Sequence, residues 1–329
     1  MNYIVFDLEW NQSYGGFVEN PRMPFEIIEI GAVKLDSKFN IIDSFSNLIK
    51  PRLYKKLQPH IRSILNYDEK DLKNGKPFDM VCRDFLKWCG TDDYIFCTWG
   101  PMDLSYLQNN MDYYYMKPLE TPLKFYNIQQ IYTDLKEKDG TIVKLEKAVN
   151  NLSIDIDRPF HSAVNDAYYT AQVLAKIHPK DLADRYNYDV YNNPKAKEDE
   201  IISYHKHYME HISREFDDKK DIMMDKELVT MRCYKCGKKA AKRIKWFTHT
   251  PNTYISVCKC WYHGLMISKI KIKQNKNFKY FAIKTVLPTD KLGLENIKQR
   301  QEELRLRRQQ KRHKGDDTDL NDNIIDTKQ

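Results

Sequence analysis

Apolar positions recur along the chain with two periods, and the order in which those periods alternate sketches a fold. Residues 3–9 open as an apolar strand, Tyr-Ile-Val-Phe, whose last three positions read carboxylate, leucine, carboxylate. Ile27 to Leu35 reads as a second strand, Asp36 to Asn40 has turn composition, and Ile41 to Ile49 resumes as a third, so the three predict an antiparallel meander ended by Pro51. Helical spacing follows over 61–73 and 77–89, the second with Val81, Phe85, Leu86, Trp88 and Cys89. Tyr94 to Thr98 reads as a short buried strand that turns through Trp99-Gly100-Pro101-Met102 into a helix starting at Asp103, with Leu104 and Leu107 facing the core. Two or three helices are expected over 119–152. A further one over 163–177 has Ser162 as N-cap and Ala163, Ala167, Thr170, Ala171 and Leu174 as its inner stripe.

Composition places this pattern in an ordinary globular chain. With 41% hydrophobic and 30% charged residues over 329 positions, there is room for one full domain and a smaller one. No stretch approaches the ~20 apolar residues of a membrane span, and the chain opens on a strand rather than a signal-type segment, so a cytoplasmic protein is expected. Seven cysteines in such a chain argue for reduced thiols or metal ligands. Charge changes the picture more. Of the net +8, residues 228–289 supply 14 Lys or Arg and no acid, so the rest of the chain is net acidic. A mildly acidic body joined to a strongly basic attachment is what a catalytic domain with a polyanion-binding module looks like.

The chemistry begins at the first strand. Successive strand side chains point to opposite faces, so Asp7 and Glu9 share a face and Leu8 does not. Two like charges held side by side require a proton or a cation between them. Each further acidic position has an ordinary structural reading of its own. Asp103 is a helix-start carboxylate favoured by the helix dipole, and Asp166, at the border of the inner stripe of the last helix, is a polar group in need of a partner. A lone loop histidine such as His161 is more often incidental than catalytic. Together, however, four carboxylates and one base are the parts that phosphodiester hydrolysis by two divalent ions requires, with a histidine to take the proton from the attacking water.

Three motifs carry a family resemblance: Asp7-x-Glu9; Trp99-Gly100-Pro101-Met102-Asp103; and His161-Ser162-Ala163-Val164-Asn165-Asp166-Ala167. Over roughly residues 1 to 178 the chain resembles the DEDDh superfamily of exonucleases, which includes proofreading exonucleases, ribonuclease T and oligoribonuclease. Ile28-Glu29-Ile30-Gly31-Ala32-Val33 is similar to that family's second strand. His161, with Ser162 rather than tyrosine four residues before Asp166, favours the histidine branch. Phe6 to Trp10 and Thr98-Trp99-Gly100 look most like the branch that trims histone messages and short RNAs, with its bacterial relatives. The resemblance implies a ribonuclease H-like fold, a mixed sheet flanked by helices, acting from the 3′ end and releasing nucleoside 5′-monophosphates. It implies that Asp7, Glu9, Asp103 and Asp166 hold two Mg²⁺ or Mn²⁺, with Asp7 bridging both, and that His161 is the general base; Leu8, Trp10 and Asn11 are candidates to hold the terminal nucleotide, with simple packing the alternative for Trp10.

Residues 179–227 read as a linker containing a polar helix over 205–216, on which His205, His207 and His211 are solvated. The basic segment 228–289 carries a second constellation. Cys233 and Cys236 form a Cys-x2-Cys knuckle, and Cys258 and Cys260 follow about twenty residues later, the layout of a zinc ribbon; His263 is kept as a substitute for one cysteine. Cys82, Cys89 and Cys97 lie in apolar contexts and read as core. Around the ligands, Lys269, Lys271 and Lys273 alternate with isoleucines, and nine aromatics, among them Trp261 and Tyr262, are interleaved with the basic residues. Some must form a small core; exposed ones can stack on unpaired bases above a face that attracts phosphates. A basic helix is expected over 291–314 and an acidic, disordered tail from Asp316 onward.

These readings converge on an α/β chain in four parts: an exonuclease domain (1–178), the linker (179–227), a basic zinc-ribbon-like β domain (228–289) with one structural Zn²⁺, and the tail (290–329). The expected partner is single-stranded nucleic acid, RNA ahead of DNA. The rival reading is a non-catalytic nucleic-acid-binding or regulatory protein on an inactive nuclease fold; the presence of all five catalytic-type residues weighs against it.

Overall fold

A computed structural model describes residues 1–91, 93–137 and 141–322, the side chains only as far as residue 310. The chain divides into two compact units, Met1–Tyr191 and Asn192 onward.

In the first unit the chain runs through strands β1 (Asn2–Asn11), β2 (Glu26–Leu35) and β3 (Ile41–Leu48), then helices α1 (Pro59–Ile64), α2 (Glu69–Lys73) and α3 (Phe78–Cys89). It continues with β4 (Tyr94–Thr98), α4 (Asp103–Tyr113), β5 (Lys124–Asn127), α5 (Ile128–Lys136), α6 (Leu145–Asn151), α7 (Ala163–Ala175), α8 (Pro179–Leu182) and β6 (Asn187–Tyr188). The sheet order is β3-β2-β1-β4-β5-β6. The first three strands are the predicted antiparallel meander, whereas β1, β4 and β5 run parallel, so the sheet is mixed.

Strand alternation sorts β1 into two cores. Ile4, Phe6 and Leu8 pack with Phe85, Phe96 and Leu107 under α3 and α4, while Val5 packs with Cys97, Ala167, Tyr169 and Leu174 under α5 to α7. Asp7 and Glu9 share the parity of Val5 and therefore emerge on the α7 face.

Several local expectations are corrected. The helix foreseen over 61–73 is two helices, because Asp68 and Asp71 form a capping box that starts a new one. Within 119–152, Lys124–Asn127 is a strand rather than helix, its Phe125 and Tyr126 buried against β4. Residues expected to be linker are used by both units, as β6 in the first and as β7 (Ile201–Tyr204) and β8 (Met209–Ile212) in the second.

The second unit continues with α9 (Lys219–Met224), α10 (Lys226–Val229), β9 (Ala241–Thr250), β10 (Thr253–Cys260), β11 (Gly264–Gln274), β12 (Tyr280–Pro288) and α11 (Lys291–Asp322). Its antiparallel sheet has the order β7-β8-β12-β11-β10-β9. The expected helix over 205–216 is absent, since β8 pairs with β12 through Met209–Ile212. Two of its three histidines are buried rather than solvated: His205 stacks on Tyr208, and His211 meets Glu200 at 2.7 Å. Glu200 also takes Arg214 at 2.7 Å, and Arg214 reaches Asp225 at 2.8 Å, so these charges enter the interior as a chain of pairs.

On β11 the alternation is as expected, with Ile270 and Ile272 buried and Lys269 and Lys271 exposed. The basic helix forms as α11, whose Arg308 donates to the Thr248 carbonyl of β9. That helix runs past the expected start of the acidic tail, and residues 323–329 of that tail lie outside the described residues. Among the described residues no helix is long and apolar enough to cross a membrane.

Candidate active site

Glu29 explains how the acidic site is put together. In the β1–β2 ladder Asp7 faces Gly31, and Glu9 faces Glu29. A like-charge pair across a ladder is unfavourable. Glu29 is relieved because it accepts from Ser162 Oγ at 3.1 Å and from the Ala163 N–H at 3.2 Å, the open N-terminus of α7. Ser162 stands at the predicted N-cap position but makes no side-chain cap; its hydroxyl is donated to Glu29, which caps the helix instead.

Gly31 completes the docking. A Cβ there would lie 1.9 Å from Val164 N and 2.1 Å from Ala163 C, so only glycine lets the first turn of α7 rest on β2. This contact brings Asp166 to Asp7 and Glu9 across some 160 positions of sequence. Carboxylate oxygens of Asp7, Glu9 and Asp166 lie within 4.8 Å of one another. A bulge in the ladder follows directly, between Glu9 and Trp10.

Asp103, in the first turn of α4, is not in that group of three. After burial, however, it is the largest influence raising Asp7, ahead of Glu9, Asp166 and Glu29. Burial followed by the charges of Asp166, Glu29 and Asp103 pushes Glu9 up to about 8. Burial likewise lifts Asp103 and Asp166 to about 7 each. Every charged neighbour that shifts Glu9 is another carboxylate. Oδ1 of Asp166 is buried and has no hydrogen-bond partner. Hard oxygen donors, mutual repulsion and an orphaned carboxylate oxygen together fit divalent cations.

His161 sits exposed on the loop before α7, with a left-handed φ of 65°. The loop is fixed around it. Asn66 Nδ2 donates to the Phe160 carbonyl at 2.9 Å, Asn165 Nδ2 donates to that of Pro159 at 2.9 Å, and Phe160 stacks on Tyr169 with centroids 4.6 Å apart. The backbone N–H of His161 opposes the rise that burial imposes on the Asp166 carboxyl.

Leu8, Trp10 and Asn11 are placed differently from the expectation that they hold a nucleotide. Leu8 belongs to the α3 core, on the face away from the carboxylates. Trp10 packs edge-on against Phe25 at 4.6 Å and beside Tyr106. The Asn11 amide is fully buried, donating to the carbonyls of Tyr54 and Lys56 and accepting from the Gln58 N–H. Leu8 and Asn11 are buried, while Trp10 packs on its neighbours and stays part-exposed. Glu29 is the residue that the motif reading missed, and the signal was available: it is a carboxylate flanked by Ile28 and Ile30 in the interior of a buried strand.

The family model described as Exonuclease, of the ribonuclease T group, matches residues 4–174 of the chain. The chain belongs to this exonuclease family. It is 26% identical over 180 residues to the probable 3′-5′ exonuclease KapD of Bacillus subtilis, covering 54% of this chain and 84% of that protein. The nuclease domain of 3′hExo, a DEDDh family member solved bound to rAMP, superposes with a TM-score of 0.50 at 22% identity, covering 56% of this chain and 96% of that one. A 3′-exonuclease solved with a histone mRNA stem-loop gives 0.47 at 22% identity, over 53% of this chain and 80% of that one. The exonuclease domain thus has the ribonuclease H-like fold, a mixed sheet with helices on both faces.

Outside the exonuclease domain, the second unit gathers a ligand set of another kind. Cys233, Cys236, Cys260 and His263 offer ligand atoms within 4.8 Å of one another. The separations are Cys236 Sγ to Cys260 Sγ 3.8 Å, Cys233 Sγ to His263 Nδ1 3.4 Å, and Cys260 Sγ to His263 Nδ1 3.6 Å. A tetrahedral zinc with Zn–S about 2.3 Å and Zn–N about 2.0 Å has ligand edges of about 3.8 and 3.5 Å. These three separations match the edges of such a tetrahedron.

Cys258 does not join them; His263 takes the fourth corner. Cys258 lies inside the β10 ladder, in the core with Met266 and Val286, whereas Cys260 is at the strand end where the chain turns back to His263. Burial pushes Cys233 up to about 11. Burial also raises Cys260, but the N–H groups of Tyr262 and His263 and the His263 ring outweigh it and bring that thiol down to about 6.

Proposed function

We propose that the protein is a metal-dependent 3′-to-5′ exonuclease that hydrolyses single-stranded nucleic acid, RNA ahead of DNA, to nucleoside 5′-monophosphates. Membership of the exonuclease family and the likeness to KapD support the reaction class. The observation that carries the site is the convergence of Asp7, Glu9, Asp103 and Asp166, whose carboxyls are all raised and of which Asp166 keeps a buried oxygen without partner. These four residues would hold two Mg²⁺ or Mn²⁺, with Asp7 the carboxylate on which all the others act. Bound there, the ions supply an activated water and neutralise charge on the leaving oxygen. Metal binding also removes the repulsion that lifts these carboxyls, so they ionise fully in the loaded site. His161, exposed on the loop that leads into α7 and hence to Asp166, takes the proton from the attacking water at its ring nitrogen. Glu29 positions rather than reacts: it holds the N-terminus of α7, and with it Asp166 and the His161 loop, against β2.

In the second unit, Cys233, Cys236, Cys260 and His263 hold one structural zinc, supported by the match of their separations to a tetrahedron. The acid-free segment 228–289, with Lys269 and Lys271 exposed on β11, supports a nucleic-acid-binding role for this unit. The seven unpaired cysteines support a reducing, cytoplasmic setting.

Digestion of 3′-labelled and 5′-labelled single-stranded RNA and DNA of one sequence, with Mg²⁺, tests the reaction. The intact protein is expected to release the 3′ label first as a mononucleotide and to shorten the 5′-labelled strand stepwise, RNA faster than DNA. Asp7→Ala is expected to do neither. Equal cleavage by the two proteins, or internal cuts, would overturn the assignment.

A further inference from the structure

One of the two tryptophans of the second unit is where an apolar ring is least expected. Trp261 is 90% exposed and Tyr262 beside it is 72% exposed, while the protein's four other tryptophans are all at least half-buried. The two rings occupy the middle of the turn Cys260-Trp261-Tyr262-His263, so each end of the turn is a member of the Cys3His cluster. The rings are thereby presented on a fixed support. Across from them, Lys238 of the Cys233–Cys236 knuckle places its Nζ 5.2 Å from the centroid of Tyr262. Arg232, Lys235 and Lys239 of the same knuckle are exposed, as is Lys259 on the strand leading into the turn. No acid lies anywhere between residues 228 and 289 to offset them.

Two exposed rings invite burial against something flat and apolar, and the surrounding cations require that it carry negative charge. Unpaired nucleotides combine both features, a stackable face and a phosphate on each unit, whereas paired bases hide their faces inside the helix. We propose that the 260–263 turn is a base-stacking platform for unpaired nucleotides, with Trp261 and Tyr262 each taking a base face and the lysines of the facing knuckle taking the phosphates between. This rests on the nucleic-acid-binding reading of the second unit and names its contact residues.

The test uses the full-length, zinc-loaded chain carrying Asp7→Ala, so that the probe survives, and titrates a labelled 15-nucleotide oligo(U) and a blunt RNA duplex of equal length. Trp261→Ala is expected to weaken oligo(U) binding on the order of tenfold, with the salt dependence unchanged because no charge is lost. Tyr262→Ala is expected to weaken it less, and Trp261→Phe to recover most of the affinity. Tryptophan emission should fall on oligo(U) binding, less so with duplex, and the fall should vanish in Trp261→Ala, whose zinc content stays at one per chain. A companion variant, Lys235→Glu/Lys238→Glu/Lys239→Glu, separates the levels. If the ring variants bind like the parent and the lysine variant does not, stacking is wrong while the nucleic-acid reading stands. If neither binds differently from the parent, both are wrong and the exposed rings serve a protein partner instead.

Discussion

The two ligand clusters of this protein are built in opposite ways. The carboxylate site is made by topology: β1, α4 and α7 contribute from positions about 160 residues apart, and the donors meet only because Gly31 and Glu29 let α7 sit down on β2. The cysteine site is made locally, by one knuckle and one turn joined through the β9–β10–β11 meander. The first stores repulsion that its cations must relieve; the second holds donors already at tetrahedral spacing. A site made by topology fails when the packing beneath it fails, whereas a local site fails only when its own ligands are removed.

The largest expected effect follows from that contrast. Gly31→Ala puts a methyl into the backbone of α7, at a cost of about 3 kcal/mol or more, and should unfold the first unit or expel α7. Circular dichroism melts would show the loss, while the zinc content of the second unit should persist. Next in size, Cys260→Ser is expected to lose the zinc and most of the second unit's cooperative melting. Cys258→Ser, in the core beside Met266, should keep the zinc and cost only about 1 to 2 kcal/mol, as read by metal analysis and calorimetry.

A third test concerns pH. Glu9 rises to about 8, and Asp103 and Asp166 to about 7, well above their unfolded values near 4. The folded, metal-free protein therefore binds more protons than the unfolded chain, so this contribution is complete below about pH 4 and is lost as pH climbs to about 8. Without Mg²⁺ the melting temperature of the first unit should fall between pH 5 and 8; with Mg²⁺ saturating, that fall should shrink or disappear. A pH-independent melt without Mg²⁺ would contradict the stored repulsion. The smallest effect is expected from Glu29→Gln, which keeps an acceptor for Ser162 but removes the charge at the α7 N-terminus. It should cost about 1 kcal/mol of stability and lower kcat more than it raises KM, a split that a purely structural role would not produce.

Much of this was readable in the sequence because strand and helix periodicity place side chains. The parity of β1 assigned Asp7 and Glu9 to one face and Leu8 to the other, and the meander was read correctly from its turn composition. What escaped depended on contacts between distant segments. Nothing local marks Lys124–Asn127 as a strand; it becomes one by pairing with β4. The histidines near 205–211 read as solvated because the Glu200 that meets His211 inside the protein, and is itself paired with Arg214, is not recognisable as its partner from spacing. The fourth zinc-type ligand turned on where β10 ends, which decides between Cys258 and His263 and which alternation alone does not reveal. Asn11 had the right position for a substrate contact, yet its amide is consumed by the 54–58 loop.

The most direct test of the acidic centre counts its cations. Zinc-loaded protein titrated with Mn²⁺ in the presence of a nucleoside 5′-monophosphate, read by electron paramagnetic resonance of the free ion, should bind two Mn²⁺ per chain. The Asp7→Asn protein should lose both from the tight phase, because every other carboxylate of the site acts on Asp7. Equal Mn²⁺ binding by the two proteins would mean that the converging carboxylates are not a metal site.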